Sequence, residues 1–188
     1  SGQGIYSLYY GSTAYYIKRW AGTFDTSVIG SGDEVTAATL GLYIVSLPAS
    51  YYLAINGFEP SNDASIAASD YYSAIRHTYF SIERPSGAGS FHDFTLNSSG
   101  RDNIDVGGVC GFVCWTNYDR SNTPPTNNLN LWTVRHADTA GTTQDPRLVV
   151  THAASSDVTN INGMAPGDVS NINSIAAASV STFNTISF

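Results

Sequence analysis

Val35-Thr-Ala-Ala-Thr-Leu-Gly-Leu-Tyr-Ile-Val45 is the segment whose pattern decides the fold class. Apolar side chains recur at every second position, at Ala38, Leu40, Leu42 and Ile44. Successive side chains of a β-strand point to opposite faces, so this period predicts a long strand with those four residues directed inward. The segment therefore indicates a half-buried strand of a β-rich protein.

Tyrosine-rich segments on either side of it predict further strands. Residues 5–10 and 14–20 alternate around tyrosines, and Gly11-Ser-Thr13 between them has the composition of a turn. Two adjacent strands are therefore predicted, with Trp20 and Phe24 on one face of the second. Residues 51–58 predict another strand.

The second half of the chain continues the pattern. Residues 97–104 predict a short helix capped by Asn97 or Ser98, because both side chains accept hydrogen bonds from a helix N-terminus. Residues 109–115 and 129–134 are predicted to pair as central strands. The expected total is about eight to ten strands in a closed sandwich.

Composition supports an all-β protein with few charges. Charged residues make up 12% of the chain, about half the usual globular share, and 12 tyrosines, 8 phenylalanines and 3 tryptophans favour strands. A net charge of -7 argues against binding to nucleic acid, which requires basic patches. No apolar stretch of about eighteen residues is present, so no membrane span is predicted.

The two cysteines lie in Cys110-Gly-Phe-Val-Cys114. On a strand their side chains would share a face roughly 13 Å apart, which is too far for a disulfide. No neighbouring cysteine or histidine completes a zinc ligand set. Buried free thiols beside Phe112 are therefore predicted.

Several segments together carry a resemblance to a known family: Arg19-Trp20, residues 24–29, Gly32-Asp-Glu-Val-Thr-Ala-Ala-Thr-Leu-Gly-Leu-Tyr43, residues 91–100 and Asp145-Pro-Arg-Leu-Val-Val-Thr151. They resemble the DNRLRE-type jelly-roll domains of secreted bacterial proteins and phage structural proteins. The resemblance spans roughly residues 15–152. It implies a jelly-roll β-sandwich similar to carbohydrate-binding modules, and it implies little about function because the shared residues are core and turn positions.

The last 31 residues repeat with a period of eleven. Apolar residues stand at the first, fourth and seventh places of each copy, and an Asn at the fifth. We call the apolar positions the tail pegs: Val158, Ile161, Met164, Val169, Ile172, Ile175, Val180, Phe183, Ile186 and the final Phe188. Repeats this short cannot each close a core, so they must stack together or lie against a partner.

Three conformations of this tail are compatible with the repeat. Eleven residues make three helical turns, which is typical of a right-handed coiled coil, but Gly163, Pro166 and Gly167 oppose a continuous helix. A low-complexity disordered tail also fits the composition. The preferred prediction is an extended ribbon whose pegs dock on a neighbouring subunit. The chain is thus divided into a sandwich domain (1–152), a linker (153–157) and an assembly tail (158–188).

Tyrosine doublets are the best sequence evidence for a ligand or an interface. One member of each doublet on a strand must face outward, and the candidates are Tyr9, Tyr15, Tyr51 and Tyr71. Outward tyrosines can stack on sugar rings, pack against another subunit or simply cover a sheet that is poor in charge.

No catalytic motif, metal site or cofactor site is predicted. The four histidines lie in separate segments without ligand spacing: His77, His92, His136 and His152. The carboxylate pairs Asp33-Glu34 and Asp102 with Asp105 lie in turn-like sequence, so solvated loop acids are preferred over a glycosidase pair. A Ca²⁺ site built from Asp25, Asp33, Asp102 and Asp105 is also not preferred, because no twelve-residue calcium loop is present.

The resulting prediction is a non-enzymatic structural subunit of a virion (a decoration, fibre or tail component) or of an extracellular filament. Its C-terminal repeat tail would anchor it through self-association or binding to other structural subunits of the particle. The alternative is a carbohydrate-binding module that targets polysaccharide. Both place the protein on a virion or an extracellular surface.

Overall fold

The computed structural model describes residues 2–10, 14–46, 52–60, 66, 79–116, 119, 131–137, 143–154, 171–172 and 175–176. These residues form mostly antiparallel β-strands with little helix, which confirms the all-β prediction. The strands are β1 (Gly2–Tyr10), β2 (Ala14–Lys18), β3 (Trp20–Asp25), β4 (Asp33–Ser46), β5 (Leu53–Phe58), β6 (Ser81–Glu83), β7 (Ser90–Thr95), β8 (Val109–Thr116), β9 (Leu131–Arg135), β10 (Arg147–Ala154), β11 (Asn171–Ile172) and β12 (Ile175–Ala176).

The first sheet is organised around β4, the long strand predicted from residues 35–45. Gly41 is paired with Arg147 of β10 and with Asp93 of β7, so β10 and β7 lie on opposite edges of β4. β9 also pairs with β4, β1 pairs with β9, and β2 pairs with β1 in the predicted hairpin. The four predicted inward residues of β4 are all buried, which confirms the phase of the alternation.

The second sheet has the order β3-β8-β5-β6. Its central strand β8 pairs with β3 and β5, whereas β9 belongs to the first sheet and pairs with β1 and β4. The prediction that residues 109–115 and 129–134 pair with each other is therefore wrong. Alternation sets which face of a strand is buried, but the partner strand is set by long-range topology, and here the chain crosses between sheets.

One hydrophobic core joins the two sheets in a β-sandwich-like packing. The first sheet contributes Leu40, Leu42, Ile44, Phe94, Trp132 and Val134, and the second contributes Trp20, Leu53, Ile55, Cys110, Phe112 and Cys114. Both cysteines are buried free thiols on the face that carries Phe112, as predicted. Every residue of β5 is buried, so both faces of that strand are covered.

The chain changes sheets at Arg19, within the strand predicted over residues 14–20. β2 ends at Lys18 in the first sheet, and β3 begins at Trp20 in the second. Arg19 itself is buried and makes two bonds to Asp119, from Nε to Oδ2 (2.6 Å) and from Nη2 to Oδ1 (2.9 Å). Its guanidinium lies 4.9 Å from the ring centre of Trp115. The ion pair and the aromatic ring therefore compensate the burial of a charged side chain at the crossing point.

The predicted short helix is present as α1 (Ser98–Asp102). Asn97 is its N-cap, and its Oδ1 accepts a hydrogen bond from the Gly100 amide at 3.0 Å. Among the described residues no helix has the length and apolar character needed to cross a membrane.

Strand β10 extends past the predicted domain boundary. Its last pairs join Ala153 to Glu34 and Ala154 to Asp33, so the first two residues of the predicted linker belong to the sheet. The rest of that linker lies outside the described residues. The division into domain, linker and tail remains a prediction.

Candidate interaction surface

The predicted tail pegs lie mostly outside the described residues. Ile172 and Ile175 are the exceptions for which the backbone is described: they stand opposite each other where β11 pairs with β12. The other eight pegs are Val158, Ile161, Met164, Val169, Val180, Phe183, Ile186 and Phe188, and their docking on a subunit stays a prediction.

Of the four tyrosines predicted to face outward, two belong to the described residues and two do not. Tyr9 of β1 and Tyr15 of β2 are directly opposite each other in the hairpin register. Tyr51 and Tyr71 lie outside the described residues. Tyr52, which follows Tyr51 in the chain, is about half exposed.

Strand β10 is an end strand of the first sheet. β4 occupies one edge of this strand, and no strand among the described residues pairs with the other. Val149 in the middle of β10 is 54% exposed, and Leu148 and Val150 are only partly buried although they pack on the core. The regular pairing of β10 with β4 shifts between Thr151 and His152. Residues 147–151 therefore form a regular strand edge with which no described strand pairs.

Arg147, the only Lys, Arg, Asp or Glu residue of β10, points away from that edge. Its Nη2 lies 3.0 Å from both carboxylate oxygens of Asp93 on β7, which means that the side chain crosses over β4. Gly41 makes this crossing possible, because a Cβ there would meet Asp93 Oδ1 at 2.6 Å and Arg147 Cγ at 2.8 Å. The charge of Arg147 is thus engaged on the outer face of the sheet, and Leu148, Val149 and Val150 form an apolar run along β10.

An aromatic pair lies beside this ion pair on the same outer face. The ring centres of Tyr43 and Phe91 are 5.4 Å apart in an edge-to-face arrangement, and the Arg147 guanidinium lies 4.1 Å from the centre of the Phe91 ring. Both rings are partly exposed. Arg147 and Asp93 are each nearly half exposed, so the group combines aromatic surface with charged hydrogen-bonding groups.

Glu83 joins a serine and a histidine, but not in a catalytic order. Ser81 Oγ donates to Glu83 Oε1 (2.8 Å), and His92 Nε2 lies 3.0 Å from Glu83 Oε2. Nucleophilic catalysis needs the imidazole next to the hydroxyl, whereas here the carboxylate stands between them. Glu83 also accepts a hydrogen bond from the Thr95 amide at 3.0 Å, so the group ties β6 to β7.

The acids considered for Ca²⁺ are engaged in local contacts or line an open cleft. The hydroxyl and amide of Ser27 hydrogen bond to Asp25 and lower the pKa of its carboxyl, and Asp33 Oδ2 lies 2.6 Å from His152 Nδ1. Asp102 and Asp105 line a cleft of about 580 Å³. No group of three or more His, Cys, Asp or Glu residues in the described part of the chain is placed to hold a metal ion.

Burial makes both thiols unreactive at neutral pH. It raises the pKa of Cys110 from 9.0 to about 11 and raises that of Cys114 further. An unfolded thiol loses its proton at lower pH than these folded ones, so the contribution of Cys110 to stability is complete below about pH 9 and is lost as the pH rises to about 11. The contribution of Cys114 is lost over a wider range above pH 9, because its pKa is raised further. Neither thiol has the lowered pKa of a nucleophile.

We therefore expect the free energy of unfolding to fall by about 1–3 kcal/mol between pH 9 and 11 because of Cys110 alone. Urea titrations of the wild type and of Cys110→Ala at both pH values would measure this, and the variant should show the smaller fall. All other titratable groups are common to the two proteins and cancel in the comparison. An equal fall in the free energy of unfolding of the two proteins would contradict a raised pKa of Cys110.

Strand β10 was not singled out by its sequence as an interaction site. Two signals are visible in retrospect: the segment Arg147-Leu-Val-Val-Thr151 contains no Pro or Lys, and Gly41 interrupts the large side chains of β4. Neither signal shows that the edge is unpaired, because that depends on the strand order.

Comparison with known proteins adds no family assignment. No family model matches the chain, and no curated protein matches it. The resemblance to DNRLRE-type domains therefore remains a prediction based on the segments quoted above.

Proposed function

We propose that this protein is a non-enzymatic structural subunit of a virion or an extracellular filament. In this proposal a jelly-roll sandwich forms the body, and the repeat tail anchors it to like chains or to other structural subunits. The observation that carries the proposal is the far edge of β10, an eight-residue strand that pairs with no described strand on that side and from which the chain continues toward the tail. Exposed strand edges of this length are templates for pairing with another chain.

The repeat of the tail also favours a partner. Repeats of eleven residues are too short to close a core of their own, so the ten apolar pegs lose their contact with water only against another surface. A periodic partner surface would bury the pegs and would also offer hydrogen-bond partners to the backbone of the tail.

Carbohydrate binding is the second candidate, and the outer face of the first sheet favours it. Tyr43 and Phe91 offer aromatic surface for a sugar ring, and Arg147 and Asp93 offer hydrogen-bonding groups for its hydroxyls. The bond from Tyr43 Oη to the carbonyl oxygen of Gly89 (2.7 Å) holds one ring in place. Such a face would target the protein to polysaccharide without any catalysis.

Native mass measurements of the full chain and of a variant that lacks residues 155–188 separate these functions. The structural role predicts an oligomer for the full chain and a smaller, folded species for the variant, because the pegs are gone. Retention of the shortened variant on a polysaccharide column, together with its loss in Tyr43→Ala, supports the second candidate instead. A full chain that is monomeric up to high concentration would contradict the structural role.

A further inference from the structure

The backbone of β10 has a defined set of hydrogen-bonding groups on its uncovered edge. The amide of Leu96, just after β7, donates to the carbonyl of Ala38. Ala38 therefore directs its backbone polar groups toward the β7 side of β4. Backbone direction alternates along a strand, and residues 37, 39 and 41 therefore face β10. Their partners 147, 149 and 151 face β4 in return. Leu148 and Val150 are left with their N–H and C=O groups pointing outward.

Among the residues that the structure describes, the regular part of this edge has none of the features that usually block pairing with another strand. Natural edge strands are protected by lysine, proline, bulges or inward charges. Residues 147–151 contain neither lysine nor proline, the irregularity begins only after Thr151, and Arg147 is held over β4 by Asp93. The outward groups of Leu148 and Val150 are thus available to a second strand.

We propose that the partner is a second copy of this chain, whose β10 pairs antiparallel with the first across a two-fold axis, with Val149 opposite Val149. This inference builds on the proposed structural role and assigns that role an interface. Leu148 of one copy then stands opposite Val150 of the other, and their outward groups form four hydrogen bonds. The two first sheets become one continuous sheet.

The side-chain pattern selects this register. When a two-fold axis relates two antiparallel strands, each residue pairs with the one that lies equally far on the other side of the axis. An axis through Val149 therefore pairs all five residues of the regular part of the strand, 147–151. An axis through Leu148 or Val150 would pair only three of these five residues. An axis through Arg147 would place the positive charges of the two Arg147 side chains opposite each other, which is unfavourable. The chosen register places Leu148 against Val150 on the core side and Val149 against Val149 on the outer side.

The pairing on its own is expected to be weak. Five residues on each side bury less than the roughly 1,200 Å² of a stable specific interface. Pairing of the edges would therefore act together with the tail, since a second attachment point raises the effective concentration of the first.

Disulfide trapping tests the register, because it captures weak complexes. Val149 faces β4 with its backbone, so two copies of it form a non-hydrogen-bonded pair with Cα atoms about 4.5 Å apart, within the range that a disulfide needs. Under oxidised glutathione, full-length Val149→Cys should form a covalent dimer about tenfold faster than Val45→Cys, since only the former has a high effective concentration of its partner thiol. Val45 lies on β4 and is 36% exposed, which makes it a matched surface control.

Two further variants check the register itself. Thr151→Cys alone should link poorly, whereas a mixture of Thr151→Cys and Arg147→Cys should link, because residues 151 and 147 stand opposite each other. The native thiols are buried and should leave the wild type monomeric on a non-reducing gel. Circular dichroism verifies that each variant is folded.

The outcomes separate this inference from the proposed function. An oligomeric native mass with no preferential linking of Val149→Cys overturns the pairing of β10 and leaves the structural role standing. A monomeric mass with fast linking supports the pairing and contradicts anchoring by the tail. A monomeric mass with slow linking at every position overturns both.

Discussion

Replacing Asp119 with alanine should lower the free energy of unfolding by about 3–5 kcal/mol, because the change leaves a buried guanidinium without its carboxylate. The side chains of Arg19 and Asp119 are 4% and 5% exposed and are joined by two hydrogen bonds. The charge of Arg19 would keep only its contact with Trp115 and its remaining polar neighbours. Urea unfolding followed by tryptophan fluorescence would measure the loss.

The second Arg–Asp pair provides a matched control. Arg147 and Asp93 are also joined by two hydrogen bonds, but their side chains are 46% and 47% exposed. Asp93→Ala should therefore lower stability by only about 0–1 kcal/mol. The double variant Arg19→Met with Asp119→Leu should recover most of the loss, because it removes both buried charges. Equal effects of Asp119→Ala and Asp93→Ala would contradict the role given to burial.

Phe112→Ala should have an effect of similar size, about 3–5 kcal/mol, since it removes a fully buried ring and leaves a cavity. Phe112 lies on the central strand of the second sheet and faces the first sheet. Its ring centre is 6.0 Å from that of Phe24 and 6.2 Å from that of Phe80, both edge to face. The truncation removes contacts to both, and the midpoint of urea unfolding should fall accordingly.

Phe91→Ala is the control for this prediction. Phe91 is a phenylalanine on the opposite, outer side of the first sheet, and its main contacts are Tyr43 and Arg147. Its truncation should lower stability by about 1 kcal/mol, because water can fill the space that the ring leaves. A larger effect for Phe91→Ala than for Phe112→Ala would show that the core lies elsewhere.

Features that depend on neighbours in the chain could be read from the sequence. The alternation in β4 correctly predicted which residues are buried, since the two faces of a strand follow from backbone geometry alone. The same reasoning placed Cys110, Cys114 and Phe112 on one buried face. The short helix was predicted with Asn97 or Ser98 as its N-cap, because a capping side chain bonds to amides of the next turn, and Asn97 is the residue that caps it.

Features that depend on residues far apart in the chain could not be predicted from the sequence. Whether β8 pairs with β9, where the chain changes sheets, and which edge stays open are set by strand order, and many orders bury the same alternating faces. Arg19 and Asp119 are 100 positions apart, and Arg147 and Asp93 are 54 apart, so no local pattern connects them. The all-β class and the buried faces thus follow from local chemistry. Which edge of β10 stays without a partner among the described strands, and the position of Gly41 between Arg147 and Asp93, are decided only when distant strands pair.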